Sequence, residues 1–174
     1  QGAISGAPHV KFSGGLRTAV LANPGGPISF IAQDETGRFG QVAKPLVSAR
    51  APAYTYNYFM VFRDVQAVLD AGDPYNHVKG AAARHPVLLF EVTGDTTVTN
   101  AATDLLIAAA GLEKVTTLGP NPVGPGAYTV FSQGSHTSLL DWVTPAVTLE
   151  MQMQAMKRSG AVGASGHLVV VRDG

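Results

Sequence analysis

The sequence predicts an α/β fold in which helices flank a mostly parallel sheet. Three short apolar segments, at residues 18–22, 86–93 and 127–132, have the composition of buried strands and end in loop-forming residues. Helix-forming segments alternate with them along the chain. Strands that are joined through a helix return to the sheet in the same direction, so this alternation indicates parallel pairing.

The first part of the chain combines a helix, a strand and a long irregular segment. The small residues at 1–12 predict a tight turn that enters a short helix. The strand at 18–22 is closed by the Asn-Pro-Gly-Gly sequence at 23–26, which breaks regular structure. Residues 27–85 are the least regular, and we expect a cap or lid insertion there. Helical spacing of apolar residues from Tyr58 onward predicts an amphipathic helix with an aromatic face inside that insertion.

The second part of the chain has clearer start and stop signals. Asn100 is a good N-cap and Gly111 a good C-cap for the alanine-rich segment between them. Pro145 is tolerated at the first turn of a further helix, which we expect to run to about Lys157. Residues 168–172 predict one last edge strand.

Composition excludes several classes of function. The 174 residues are 45% hydrophobic and 14% charged, which suits one globular domain with a substantial core. Twelve basic residues balance twelve acidic ones without any basic run, so we expect no nucleic-acid partner. The absence of cysteine excludes disulfides, thiolate catalysis and zinc–cysteine sites. No apolar run is long enough for a transmembrane segment, no metal-ligand cluster is evident, and we expect no cofactor.

Two residues capable of proton chemistry follow predicted strands. Asp95 comes directly after the strand at 86–93, and His136 comes a few residues after the strand at 127–132. Functional residues of parallel α/β sheets lie in loops just past the carboxyl ends of the strands. A carboxylate followed by a histidine, each on such a loop, is what a Ser-Asp-His hydrolase requires from its second half.

Less specific interpretations remain open for both residues. An Asp after a Gly at a strand end often only caps a turn, and a single loop histidine is often structural. Asp141 follows His136 by five residues, and it is the second candidate for the triad acid or a residue that positions the histidine loop. The other histidines are expected to be structural or surface residues.

Three segments together resemble large bacterial extracellular or surface-anchored lipases. VLLFEVTGDTTVTNAATDLLIAAAGL is similar to the acid-bearing segment of that family, GSHTSLLDWVTPAVTLEMQMQ to its histidine segment, and LANPGGPI to its junction between strand and cap. The matches span most of residues 18–157, and Thr99 stands where the family commonly has Pro. The resemblance implies the C-terminal half of an α/β-hydrolase fold with a cap insertion at 27–85, esterase or lipase activity, and a secreted, periplasmic or cell-surface location.

The chain lacks a complete G-x-S-x-G nucleophile motif. Ser5 comes closest, but no strand precedes it. Gln1 and Gly2 look like the last two positions of that motif, so we expect the nucleophilic serine immediately before Gln1. The backbone N–H of Gln1 would then be an oxyanion-hole donor. We therefore expect residues 1–174 to form one partial catalytic domain, with the N-terminal half upstream in the same polypeptide or in a partner chain.

The aromatic cluster in the insertion indicates an apolar substrate surface. Tyr58, Phe59 and Phe62 are candidates for an acyl-binding wall or mobile lid, and ordinary packing of one helix is the alternative. A hydrophobic ester, which includes polyesters, is the expected substrate. Two other functions remain open at this stage: acyl transfer or thioester or amide hydrolysis on the same fold, and a binding domain without enzymatic activity.

Overall fold

The computed structural model describes residues 2–116 and 126–160. Its strands are β1 (Ala19–Ala22), β2 (Val87–Val92), β3 (Glu113–Lys114) and β4 (Gly126–Phe131). They form one sheet in the order β1-β2-β4-β3, and all neighbouring strands are parallel. The prediction of an α/β fold with a mostly parallel sheet flanked by helices is therefore confirmed.

Seven helices lie within the described residues, and several were expected from the sequence. They are α1 (Gly2–Phe12), α2 (Ile28–Gln33), α3 (Arg38–Ser48), α4 (Tyr56–Leu69), α5 (Pro74–Arg84), α6 (Asn100–Ala110) and α7 (Pro145–Gly160). The C-cap of α6 is Gly111 in the left-handed conformation, as its position predicts. Gln1 and the edge strand predicted at 168–172 lie outside the described residues.

The central strand β2 is buried along its whole length. Its pairing with β1 aligns Ala19 with Val87, and its pairing with β4 aligns Val87 with Gly126. Every residue of β2 is buried, because helices cover both faces of the sheet. A strand in this position needs a nearly continuous apolar sequence rather than an alternating one, and β2 has it except at Glu91.

Helices cover the sheet in two layers. On one face, Leu21 and Leu89 pack in a cluster with apolar residues of α1, α5 and α6. On the other face, Leu88 and Phe90 pack with Met151 of α7. Full burial of a side chain of this size is worth about 2 kcal/mol, so both layers contribute to holding the sheet.

The segment at 27–85 is helical rather than irregular, and its helices divide into two groups. Helices α2, α3 and α4 pack on one another around a small cluster of Ala51, Tyr58 and Phe62. Helix α5 instead contributes Val78 and Ala81 to the layer that covers the sheet. Helix α5 is not predicted from the sequence, because only part of one face is apolar and its alanines give little periodic contrast.

Asp73 connects these two groups of helices. Its side chain is fully buried, and Oδ2 accepts hydrogen bonds from the backbone N–H of Ile28 at 2.7 Å and from Nε2 of Gln66 at 2.8 Å. Oδ1 accepts from the backbone N–H of Tyr75 at 2.8 Å and so caps α5. One carboxylate therefore joins the first residue of α2, the last turn of α4 and the start of α5, and it holds the α2–α4 group on the body of the fold.

Candidate active site

Asp95 and His136 lie on loops that leave the same edge of the sheet. Val92 at the end of β2 pairs with Phe131 at the end of β4, and the N–H of Thr93 donates to the carbonyl of Phe131 at 2.9 Å beyond that last pair. The two loops therefore start side by side at the carboxyl ends of adjacent parallel strands. This is the arrangement in which α/β proteins assemble functional sites.

The structure brings the two side chains into direct contact. Nδ1 of His136 lies 2.7 Å from Oδ2 of Asp95. The carboxylate side chain is 2% exposed and the imidazole 15% exposed. Because a carboxylate oxygen can only accept, Nδ1 carries the proton of this bond, and Nε2 is the basic nitrogen of the neutral ring.

The second carboxylate oxygen of Asp95 is held by its own loop. Oδ1 accepts hydrogen bonds from the backbone N–H of Thr97 at 2.8 Å and of Val98 at 3.2 Å. Asp95 thus caps a turn and pairs with His136 at the same time, so the structural and the functional interpretations of this residue are compatible. The backbone contacts fix the orientation of the carboxylate towards the histidine.

Asn100 stabilises the turn that carries Asp95. Its Oδ1 accepts from the backbone N–H of Gly94 at 2.7 Å, and its Nδ2 donates to the carbonyl of Val92 at 2.8 Å. The predicted N-cap role of Asn100 is wrong by one residue, because Thr99 is the N-cap of α6 and makes no side-chain capping bond. The side chain of Asn100 turns back over the strand end instead. Gly94 adopts φ of 78°, a conformation that favours glycine.

A buried glutamate in β2 forms a hydrogen bond with Asn100. Oε1 of Glu91 accepts a hydrogen bond from Nδ2 of Asn100 at 2.6 Å, and Glu91 is buried within β2. Burial raises the pKa of Glu91, and the hydrogen bond from Asn100 offsets only part of that effect. Glu91 is thus a titratable group that bonds to Asn100, the residue that holds the turn of Asp95.

Replacing Glu91 by glutamine is expected to make stability less dependent on pH. The raised pKa means that the folded protein keeps this proton where the unfolded chain, with a pKa near 4.5, has lost it. The contribution to the free energy of unfolding is therefore full below the unfolded pKa and falls as pH rises through the folded pKa. Glutamine keeps the acceptor for Asn100 without a charge. Denaturant unfolding at a series of pH values should show the Glu91→Gln variant more stable than the wild type above that window.

The control for this prediction is Glu113→Gln, because Glu113 is exposed on the short strand β3. That variant should follow the wild-type pH profile. Equal pH dependence of the wild type and Glu91→Gln would contradict the role given to Glu91.

The loop that carries His136 is also tightly bonded. The backbone N–H of Ser135 donates to Oγ of the fully buried Ser138 at 2.6 Å. Gly134 has φ of 127°, and a Cβ there would lie 2.8 Å from that same hydroxyl, so the loop requires glycine at this position. On the other side of the loop, Asn23 at the end of β1 donates from Nδ2 to the carbonyl of His136 at 2.7 Å.

Asp141, the second candidate for the acid, has different partners. Its Oδ2 accepts hydrogen bonds from the hydroxyls of Thr137 and Ser135, the latter at 2.9 Å. Those bonds, that of Thr137 first, lower the pKa of Asp141. The carboxylate therefore stabilises the loop around His136, while the imidazole itself pairs with Asp95.

Two of the three aromatic side chains proposed for substrate binding are buried. Tyr58 is 2% and Phe62 3% exposed, and their rings lie 5.0 Å apart in the core of the α2–α4 group. This packing corresponds to the alternative that the sequence left open. Phe59 is 49% exposed and is the one of the three that presents a large apolar surface.

The turn between α2 and α3 contacts the loop of Asp95. Oγ1 of Thr99 donates to Oδ2 of Asp34, and the backbone N–H of Arg38 donates to the carbonyl of Thr96 at 2.8 Å. Burial acts to raise the pKa of Asp34, but hydrogen bonds from Thr36 and Thr99 outweigh it and lower that pKa. The α2–α4 group is thus bonded to the segment that carries the candidate acid.

Ser5 does not lie where a G-x-S-x-G motif would place its serine. It lies inside α1, where its hydroxyl approaches the carbonyl of Gly2 at 3.4 Å, and not at a turn between a strand and a helix. Gln1, the expected oxyanion-hole donor, lies outside the described residues. Residues 2–116 and 126–160 contain no cluster of histidine and acidic side chains suited to a metal ion, and no helix there is long and apolar enough to span a membrane.

Comparison with protein-family models, curated proteins and solved structures finds no match to this chain. The geometry around Asp95 and His136 is therefore the feature that bears most directly on function. The described residues bring one carboxylate and one imidazole together at the carboxyl edge of a parallel sheet, each on a loop that is held by hydrogen bonds.

Proposed function

We propose that this chain carries the acid and the histidine of a Ser-Asp-His catalytic triad, and that the complete protein hydrolyses carboxylic esters. The observation that carries the proposal is the 2.7 Å contact between Nδ1 of His136 and Oδ2 of Asp95. It joins a buried carboxylate to a partly exposed imidazole at the edge of the sheet where α/β enzymes hold their catalytic groups.

The roles follow from the direction of that hydrogen bond. Asp95 holds Nδ1 protonated, so Nε2 of His136 accepts the proton of the serine hydroxyl as the oxygen attacks the ester carbonyl. Asp95 stabilises the imidazolium that forms. His136 then returns the proton to the leaving alcohol, which leaves an acyl-enzyme. Water, activated by the same imidazole, releases the carboxylic acid and regenerates the serine.

The orientation of α1 supports a nucleophile immediately before Gln1. Nε2 of His85, just before β2, donates to the carbonyl of Ser13 at 2.9 Å, so α1 ends at the amino edge of the sheet. The 11 residues of α1 extend about 16 Å along the helix axis, which is comparable to the length of a strand in this sheet. The helix therefore begins towards the edge where Asp95 and His136 meet. A serine before Gln1 would adjoin them, and the N–H of Gln1 would serve as an oxyanion-hole donor.

In this proposal the chain is the C-terminal half of an α/β-hydrolase, and the segment at 27–85 includes its cap. The support is the parallel sheet with helices on both faces, together with the hydrogen bonds that join Asp34 and Arg38 to the segment of Asp95. The resemblance to bacterial extracellular and surface lipases favours hydrophobic esters and an extracytoplasmic location. The exposed ring of Phe59 is the candidate contact for an acyl chain.

The proposal is tested with a polypeptide that also contains the proposed serine before Gln1. We expect it to hydrolyse p-nitrophenyl esters and to react with one equivalent of a fluorophosphonate probe, at a serine directly before Gln1. Labelling that maps to a serine within residues 1–174 would contradict the nucleophile assignment. A folded protein that neither hydrolyses esters nor reacts with the probe would overturn the enzymatic proposal. Acyl products on an added alcohol in preference to water would favour acyl transfer instead.

A further inference from the structure

Asn23 contacts the histidine loop from the far side of the central strand. It directly follows β1, and its backbone N–H donates to the carbonyl of Phe90 at 2.9 Å, which extends the pairing with β2 by one residue. Its side chain then spans β2 towards the loop after β4. Nδ2 donates to the carbonyl of His136 at 2.7 Å and approaches that of Ser135 at 3.4 Å.

These contacts hold the backbone of His136 at the residue that carries the imidazole. The ring is bonded to Asp95 through Nδ1, and the main chain is bonded to Asn23 through its carbonyl. Asn23 after β1 and Asp95 after β2 thus hold one histidine, in the loop after β4, at two points. A displacement of about 1 Å in a catalytic group can lower a rate by about a factor of 100, so such a constraint has a functional consequence.

The environment of Asn23 is difficult to explain by stability alone. The residue is 1% exposed, and its Oδ1 is buried without a hydrogen-bond partner among the described residues. A buried polar atom without a partner destabilises a fold, and such exceptions are concentrated where function determines the residue. The bond from Nδ2 to the loop of His136 is the evident use of this side chain.

From these contacts, and on the basis of the proposed triad function, we propose that Asn23 is a positioning residue for His136. Its Nδ2 holds the main chain of the histidine so that Nε2 faces the reacting atoms while Nδ1 remains bonded to Asp95. It touches neither the substrate nor the transferred proton. Its substitution should therefore lower kcat and leave KM nearly unchanged.

An alternative role for Asn23 is purely conformational. Its φ of 47° lies in the left-handed region, which asparagine tolerates better than most residues. Glycine also adopts this conformation but has no side chain. The Asn23→Gly variant therefore keeps the turn and removes the hydrogen bond to the carbonyl of His136. Asn23→Asp has the same shape and similar conformational tolerance, and its carboxylate cannot donate.

Thr18→Val is the matched control, because it removes a buried side-chain bond at the opposite end of the same strand. Oγ1 of Thr18 donates to the carbonyl of Pro86 at 2.9 Å, and the residue is 1% exposed. Valine has nearly the same shape without the hydroxyl. A general loss of stability around β1 would therefore affect Thr18→Val as well as the variants of Asn23.

The experiment measures kcat, KM and the proton NMR signal of the Nδ1–H of His136 in a polypeptide that contains the proposed serine. In Asn23→Gly we expect kcat to fall by about 10- to 100-fold, KM to change by less than about twofold, and the Nδ1–H signal to exchange faster with water. Thr18→Val should leave kcat and that signal close to wild type. If Asn23→Gly does not fold, Asn23→Asp is measured with the same expectations.

Two outcomes would separate the failure of this inference from the failure of the proposed function. If His136→Ala abolishes activity while Asn23→Gly matches Thr18→Val in kcat and in the Nδ1–H signal, Asn23 is not a positioning residue and the triad stands. If His136→Ala keeps full activity, the triad proposal fails. The Nδ1–H signal then decides alone whether Asn23 holds the imidazole.

Discussion

Replacing His136 by alanine is expected to lower kcat for ester hydrolysis by about 10⁴-fold, with little change in KM. The imidazole would take the proton of the nucleophile and return it to the leaving alcohol, so both halves of the reaction lose their proton carrier. Its Nδ1 already lies 2.7 Å from Oδ2 of Asp95, which gives the ring a defined orientation for both transfers. Steady-state kinetics on a p-nitrophenyl ester, with a polypeptide that contains the proposed serine, measure the effect.

The control for this substitution is His9→Ala, because His9 is exposed on α1. That variant should retain wild-type kinetics. The thermal unfolding midpoint of His136→Ala should remain within a few degrees of wild type, since the imidazole is partly exposed and contributes little to the core. Activity that persists in a folded His136→Ala protein would exclude the triad.

Replacing Asp95 by asparagine is expected to lower kcat by a similar factor, about 10⁴-fold. The amide is nearly isosteric, and its oxygen can still accept from the backbone N–H of Thr97 and Val98, so the turn should survive. Its NH₂ group would then face Nδ1 of His136 and donate to it. The imidazole would adopt the other tautomer, with its proton on Nε2, and it could no longer act as a base towards serine.

Asp141→Asn is the control that separates the two candidate acids. The carboxylate of Asp141 accepts from the hydroxyls of Ser135 and Thr137 and so supports the loop of His136. Its substitution should loosen that loop and reduce kcat by about 10-fold or less. If Asp141→Asn were as damaging as Asp95→Asn, the assignment of Asp95 as the acid would be wrong.

Local signals in the sequence are sufficient to predict most of the helices and strands. The apolar segment of β2 is flanked by Pro86 and Gly94, and α6 ends at Gly111, where the left-handed conformation requires a residue such as glycine. Helix α5 was missed because its buried alanines give little contrast with its exposed face. The N-cap of α6 was misplaced by one residue because Thr99 and Asn100 are both suitable capping types, and tertiary contacts recruited Asn100 elsewhere.

The residues of the candidate site also fall into two groups, those that the sequence predicts and those that only the fold brings together. Asp95 and His136 could be found because a parallel sheet places the residues after its strands at one edge, whatever the details of packing. The supporting residues Asn23, Glu91 and Asp34 had no such signal. Each acts through a hydrogen bond whose partner is far away in the sequence or depends on the exact path of a loop. Tyr58 and Phe62 formed an aromatic pattern that could not distinguish a core from a binding surface.

Local sequence patterns are enough to predict the α/β class, the order of the main elements and the two residues with the chemistry of an acid and a base. Folding of the whole chain brings the imidazole to Asp95 while Asp141 bonds to the loop, and it places Asn23, from another strand, against the main chain of His136. The two kinds of information differ in how far along the chain their interactions reach. Strand, turn and cap propensities act over a few residues, whereas the bonds of His136 to Asp95 and Asn23 join positions 41 and 113 residues apart. These residues, far apart in the sequence, come together only because β1, β2 and β4 pair in one register within a single sheet.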